Sequence, residues 1–290
     1  MRKFTLLLLT LSLLIWTVGC DDSPTDTPMP GSSDEEEIFQ VLETETDLLP
    51  SEFRDNEING EAIPSGMSDG EIQEEITPMR FGRQVLNRSF HRELELTSDT
   101  TATVTLTYGM SGIFHLIGVA EGDTVPVHYE KDFSDEAVRF VYLRKRAPRP
   151  SSERRWVLVA VSGTLIETEG GSIEIESINF QSASLDTTIT DVLGIINREN
   201  IPTFAIGDDV TVTVRTNNLD DDVVAHFRPR HRFRVRLEPQ GDGSYTLAWQ
   251  PRLRGVHHVA FSVLTHGTLH DSEAPYDNMG WGLSYRVVQD

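Results

Sequence analysis

The chain has 290 residues, a formal net charge of −21 at pH 7 and a single cysteine. Its length is sufficient for two domains of ordinary size, and one cysteine excludes a disulfide within the chain. Because the phosphates of nucleic acids attract basic surfaces, the acidic balance also argues against a nucleic-acid partner.

The first residues have the organisation of a secretory signal. Two basic residues follow Met1, an apolar run covers 4–16, and a small residue precedes Cys20. This run is shorter than the ~20 residues of a membrane-spanning helix. The ending Thr-Val-Gly-Cys resembles the lipobox of bacterial lipoproteins, although that family usually has leucine in place of the threonine. The resemblance implies a signal peptide over 1–19, a lipid on Cys20 and anchoring to the inner or outer membrane of a bacterial cell envelope.

Most of the negative charge follows this cysteine. Residues 21–75 contain eighteen acidic residues and one basic residue, a net charge of −17. The Pro-, Ser- and Thr-rich start predicts a flexible acidic tether over 20–33. A capping-box sequence, Ser-x-x-Glu, then precedes apolar residues at helical spacing and predicts a short helix over 34–45. Residues 50–75 are poor in large apolar side chains and are predicted to be loop or partly disordered.

The next region is predicted to be mainly β. Alternating or continuous apolar runs at 101–107, 138–143, 156–161 and 172–180 are typical of antiparallel strands. With the preceding helix they predict an α+β domain over 34–184. A helix followed by a curved antiparallel sheet resembles the NTF2-like cone over residues 34–182, and a small, partly open barrel is the alternative.

The last hundred residues predict a second domain over 185–290. About seven short strands bounded by Gly, Pro and Asp suit a β-sandwich. Asp242-Gly243-Ser244-Tyr245, followed by Pro251, Gly255 and Val259, resembles the hairpin of filamin-type and other Ig-like repeats. This resemblance implies an Ig-like sandwich, and residues 190–290 are expected to fold independently.

An unusual row of arginines lies in this second domain. Two-residue spacing on a strand places all its members on one face: Arg228, Arg230, Arg232, Arg234 and Arg236. One interpretation is an exposed face whose charges pair with acids within the protein. The alternatives are a strip that contacts an anionic ligand or partner, and a surface onto which the acidic segment 34–75 folds back.

Histidines and acids near the C-terminus suggest metal sites. His266, His270 and Asp271 offer two imidazoles and a carboxylate to zinc. Asp220 to Asp222, and the acids between Asp271 and Asp277, offer oxygen ligands to calcium. Neither set reproduces a known metal-binding motif, so scattered histidines and solvated acidic turns remain the simpler interpretation, with no cofactor beyond the lipid.

Catalytic motifs are missing from the sequence: it has no nucleophile elbow, no phosphate-binding loop and no dinucleotide fingerprint. The favoured function is therefore a non-enzymatic binding or structural module that contacts an envelope protein or glycan. One alternative is an envelope hydrolase with its site in the first domain. The other is a carbohydrate-binding module, which would need exposed aromatics such as Trp249, Tyr276 or Trp281. A basic cluster between Arg144 and Arg155 predicts an exposed hairpin tip.

Overall fold

The computed structural model describes residues 32–45, 47–49, 76–147, 155–227 and 233–289. The signal peptide, Cys20, most of the tether and residues 50–75 lie outside these ranges. No helix in the described part of the chain is long and apolar enough to cross a membrane.

The described residues form two helices and sixteen strands. In chain order they are α1 (Ser32–Thr44), β1 (Ile76–Ser98), β2 (Thr101–Ala120), β3 (Val127–Lys145), β4 (Trp156–Val161), β5 (Thr164–Thr168), β6 (Ile175–Gln181), β7 (Asp186–Ile189), β8 (Ile196–Asn197), β9 (Thr203–Ala205), β10 (Val210–Thr216), β11 (Asp222–Phe227), β12 (Phe233–Arg236), β13 (Glu238–Pro239), β14 (Ser244–Trp249), β15 (Gly255–Leu264), α2 (His266–His270) and β16 (Asn278–Val288). The predicted mainly β fold is confirmed, and its antiparallel sheets are not closed into a barrel.

The strands form two sheets. The larger has the order β1-β2-β3-β5-β16-β15-β11-β12, with β4 on β3, β8 on β4, and β9 parallel to β16. The smaller has the order β13-β14-β10-β6-β7. Its strands pack on β11, β15 and β16 through an apolar core that includes Phe180, Val212, Phe227 and Phe261. This part of the molecule is a β-sandwich.

Both sheets contain strands from each side of the predicted boundary at residue 185. In the larger sheet, β5 pairs with β16 from Thr164↔Gly282 to Glu167↔Met279. In the smaller sheet, β6 pairs with β10 along most of its length. The division into 34–184 and 185–290 therefore does not coincide with a break in strand pairing.

The first three strands form a long meander at the edge of the larger sheet. They contain 23, 20 and 19 residues. Alternation on β2 turns Ala102, Val104 and Leu106 inward, where they are buried, and leaves the intervening threonines partly exposed. Register shifts along β1 interrupt the ladder at three places, and such bulges bend a strand.

Helix α1 covers one end of this meander, close to the predicted range of 34–45. Ile38 and Val41 are buried among Val104, Val141 and Trp156, which explains why a short helix is stable here. Its acidic first turn meets the basic hairpin. Asp34 contacts Lys145 at 2.6 Å and Arg155 at 3.4 Å. The first turn of α1 therefore contacts the described base of this hairpin.

A buried polar network joins the meander to the sandwich. Asp135 of β3 has a fully buried side chain. It accepts hydrogen bonds from Arg83 Nη1 at 2.8 Å, Thr168 Oγ1 at 2.8 Å and the Tyr276 hydroxyl at 3.0 Å. Since these donors come from β1, from β5 and from the segment before β16, one carboxylate connects three parts of the fold.

Candidate functional site

An open cavity of about 820 Å³ lies at one end of the sandwich. It is formed where β10 and β15 begin and where β11, β14 and β16 end. Antiparallel pairing brings these strand ends together, since Val210 lies opposite Trp249 and Gly255 opposite Val287. The cavity therefore lies between the two sheets, and residues from both line it.

Aromatic side chains form its floor. The half-buried Trp249 ring lies 4.9 Å from the Tyr285 ring at 80° and 5.1 Å from the Phe227 ring at 33°. Phe204 packs edge-on against Trp249 at 5.7 Å. Rings in such tilted and edge-to-face contacts hold one another in place. An apolar ligand would therefore meet a preformed aromatic floor.

The rim of the cavity is polar. Gln250 donates to Asp209 Oδ1 at 2.7 Å, and both side chains are exposed. Arg252 is exposed on the adjacent loop. Gly207 N–H donates to the Pro251 carbonyl at 2.8 Å and fixes this loop against β9. The arrangement suits a ligand with an apolar body and a polar or anionic end.

Two ionisable side chains, Tyr285 and His257, line the cavity. Burial raises the pKa of Tyr285 well above its usual value, so the hydroxyl stays protonated at physiological pH. His257 Nε2 lies 2.6 Å from the Leu253 carbonyl, which can only accept a hydrogen bond. In the neutral ring, Nε2 therefore carries the proton and Nδ1 keeps its lone pair.

The structure describes two members of the arginine row, Arg234 and Arg236, and the other three lie outside the described residues. Arg234 Nη1 donates to the Phe81 carbonyl at 3.1 Å, and its guanidinium lies 5.6 Å from the centre of the Phe81 ring. Arg236 forms an ion pair with the buried Asp222. Arg236 thus pairs with an acid within the protein, whereas Arg234 contacts a backbone carbonyl and an aromatic ring.

The predicted zinc trio has other partners. His270 is buried, and its ring nitrogens lie 3.1 Å from the Ile76 carbonyl and 3.0 Å from Asp222 Oδ2. The carboxylate of Asp271 accepts hydrogen bonds from the backbone N–H groups of Glu273 and Ala274. His266 stacks on His270 at 4.3 Å. The predicted zinc site is therefore not formed, because packing directs the ligand atoms of His270 and Asp271 to other partners and His266, His270 and Asp271 do not present three free donors to one ion.

Two of the acids suggested for calcium, Asp222 and Asp277, have other partners. Asp222 binds Arg236 and His270, while Asp277 Oδ2 accepts from the Ser172 backbone at 2.9 Å and its hydroxyl at 2.7 Å. They stabilise turns and strand ends of the sandwich.

The structure also bears on the two alternative functions, a carbohydrate-binding module and an envelope hydrolase. Tyr276 and Trp281 are each 5% exposed, so neither supplies a surface for stacking a sugar. Trp249 is half-buried and lines the cavity between the two sheets. The space between α1 and the meander is filled by residues such as Val104, Leu143 and Trp156, which disfavours a hydrolase site there.

Asp221, beside the sandwich core, is a buried carboxyl group with an unusual ionisation. Burial, followed by the charges of Asp220 and Asp222, raises its pKa from 3.8 to about 6. Its Oδ2 atom and the Tyr245 hydroxyl are buried without a hydrogen-bond partner. At neutral pH the folded protein must therefore hold a charge in a poorly compensated position.

We expect Asp221→Asn to stabilise the protein at neutral pH. Because the folded-state pKa is raised, wild-type stability from this group is present below pH 3.8 and is lost as the pH rises through about 6. The advantage of the variant in urea unfolding should grow by about 2 kcal/mol between about pH 4.5 and 7.5. Asp220→Asn, at an exposed neighbour, is the control. An advantage that stays constant with pH would contradict this assignment.

Sequence reasoning named Trp249 but missed the residues that make it a site. Tyr285 and Val287 alternate on β16, and His257 lies on β15. Their alternation predicts which face is inward, but only the pairing of distant strands shows that they share a cavity. The exposed Arg252 follows a proline in the hairpin, and no sequence pattern there indicated a role in binding.

No protein-family model, no curated protein and no solved structure matches the chain.

Proposed function

We propose that this is a lipid-anchored protein of the bacterial cell envelope whose sandwich binds a small amphiphilic molecule without chemical conversion. The aromatic cavity of about 820 Å³ is the observation that carries the proposal. The lipobox-like sequence at Cys20 supports the anchor. The Gly241 and Gly243 turn, with both residues at φ 79°, supports an Ig-like assignment for the sandwich.

The ligand class follows from the lining. Trp249 would contact an aromatic or acyl body, because buried apolar area drives such binding, and the buried rings of Tyr285 and Phe227 would hold the Trp249 ring in place. Arg252 at the rim would attract a carboxylate, sulfonate or phosphate end. The acidic tether would hold the sandwich away from anionic headgroups, leaving the cavity accessible to a soluble ligand.

Two fluorescent naphthalene probes test this proposal on protein that begins at residue 21. Anilinonaphthalene sulfonate is anionic, and N-phenylnaphthylamine is neutral. We expect Trp249→Ala to weaken both by about tenfold, because one large aromatic contact is lost. Arg252→Gln should weaken only the anionic probe, by about threefold to fivefold, as expected for one exposed charge.

Arg254→Gln is the matched control, since Arg254 is exposed on the same loop and does not line the cavity. Thermal melts of each variant would verify folding. Equal affinity of wild-type protein and Trp249→Ala for both probes would refute binding at this cavity. Equal effects of the two arginine variants would refute the role of Arg252.

A further inference from the structure

A second cluster of functional side chains lies on the outer face of the long meander. His115 is on β2, and His128 and Glu130 are on β3. Glu130 is the register partner of His115, and His128 precedes it by two residues on the same strand. Since alternate residues of a strand share a face, the sheet itself brings all three side chains to one surface.

Their donor atoms are spaced as metal ligands are. His115 Nδ1 lies 2.9 Å from His128 Nε2 and 3.4 Å from Glu130 Oε1, and His128 Nε2 lies 3.9 Å from that oxygen. Ligands ~2.0–2.1 Å from a tetrahedral zinc ion stand about 3.3 Å apart. The three separations bracket this value. Among the described residues, this is the one group of three or more histidine, cysteine or acidic side chains whose ligand atoms all lie within 4.8 Å of one another.

A neighbouring side chain orients one of the ligands. Gln84 Oε1 on β1 lies 3.0 Å from His115 Nε2. An amide oxygen only accepts, so Nε2 carries the proton and Nδ1 keeps a lone pair directed toward the cluster. Metal-bound histidines commonly donate their second N–H to an oxygen in this way, which fixes the ring.

The cluster is also open to an ion. The side chains of His115, His128 and Glu130 are 20%, 50% and 55% exposed. The His115 and His128 rings are stacked, with their centroids 5.0 Å apart and an interplanar angle of 24°. Rotation of the half-exposed His128 ring about its side-chain torsions would direct both lone pairs at one ion. Solvent can reach the fourth position.

We propose that His115, His128 and Glu130 bind one divalent transition-metal ion of the zinc class, with water as the fourth ligand. Two imidazoles and one carboxylate suit such an ion, whereas calcium and magnesium prefer oxygen ligands. Gln84 is a positioning residue for His115. The ion would cross-link β2 and β3, so binding would stabilise the folded meander.

Calorimetric titration with zinc chloride tests the site on the full-length protein, purified in detergent without a polyhistidine tag. We expect one ion per chain with micromolar affinity. His115→Ala and His128→Ala should each abolish this binding, and Gln84→Ala should weaken it by about tenfold or more. His91→Ala, at an exposed histidine of β1, is the control and should bind as wild type does.

Two further measurements separate a specific site from adventitious binding. Zinc should raise the melting temperature of wild-type protein and of His91→Ala, but not that of the His115 and His128 variants. Cobalt should give the intense ligand-field absorption of a four-coordinate ion in wild type and in His91→Ala, but not in the His115 and His128 variants. Absence of zinc binding by wild type, binding that survives both histidine substitutions, or binding lost in His266→Ala would each overturn the proposal.

Discussion

Replacing Asp135 with alanine is expected to destabilise the protein by about 3–5 kcal/mol, the usual cost of removing one partner from a buried ion pair. The substitution leaves the guanidinium of Arg83 and the hydroxyls of Tyr276 and Thr168 without their shared acceptor. Burial raises the pKa of Tyr276 well above its usual value, so its hydroxyl remains a donor that needs a partner.

Urea unfolding at pH 7 measures this effect, with Glu136→Ala as the matched control. Glu136 is the next residue on β3, points to the opposite face and is exposed. Its replacement should change the free energy of unfolding by less than about 0.5 kcal/mol. A loss of less than about 1 kcal/mol for Asp135→Ala would show that the network does not hold the meander to the sandwich.

A fragment covering residues 186–290 is expected to lack a cooperative thermal transition. It omits β6, which lies between β7 and β10 in the smaller sheet. Ile178 and Phe180 of β6 are 0% and 1% exposed and belong to the sandwich core. Removing this strand exposes apolar core surface, leaves β7 without its pairing strand and turns one edge of β10 into an open sheet edge.

Circular dichroism and thermal melts compare this fragment with one that begins at residue 172 and so retains β6. We expect the longer fragment to show a β-type spectrum and a cooperative melt. The sequence alone led to the opposite expectation, independent folding of residues 190–290. A cooperative melt of the shorter fragment would support that expectation and contradict the importance of β6.

Local patterns were sufficient to predict α1 and several of the strands. The capping box and the spacing of Ile38 and Val41 placed α1 within a few residues of its observed range. Alternation in 101–107 and in 138–143 predicted strands that the structure contains, because burial of one sheet face imposes a period of two on the sequence. The mainly β class follows from these patterns.

Pairing between distant strands could not be predicted from them. β5 pairs with β16 although more than one hundred residues separate the two in the chain. Nothing in the local sequence of a short strand such as Thr164–Thr168 identifies the strand with which it pairs. The boundary at 185 was therefore inferred from a polar stretch, whereas strand pairing in both sheets crosses it.

The same limitation applies to the sites. His270 and Asp271 are close in sequence and suggested one ion, but packing directs His270 toward Ile76 and Asp222. His115 and Glu130 are fifteen residues apart and became neighbours only through the β2–β3 register. Sequence proximity is a poor guide to ligand geometry when the residues lie on different strands.

Nuclear magnetic resonance of the indole N–H groups tests the proposed ligand cavity most directly. In protein from residue 21 onward, three tryptophans remain: Trp156, Trp249 and Trp281. Trp249 lines the cavity, whereas Trp156 is buried beneath α1. We expect titration with N-phenylnaphthylamine to shift the Trp249 signal saturably and to leave the Trp156 signal in place. Binding of the probe without any change at Trp249 would contradict a binding site in the sandwich.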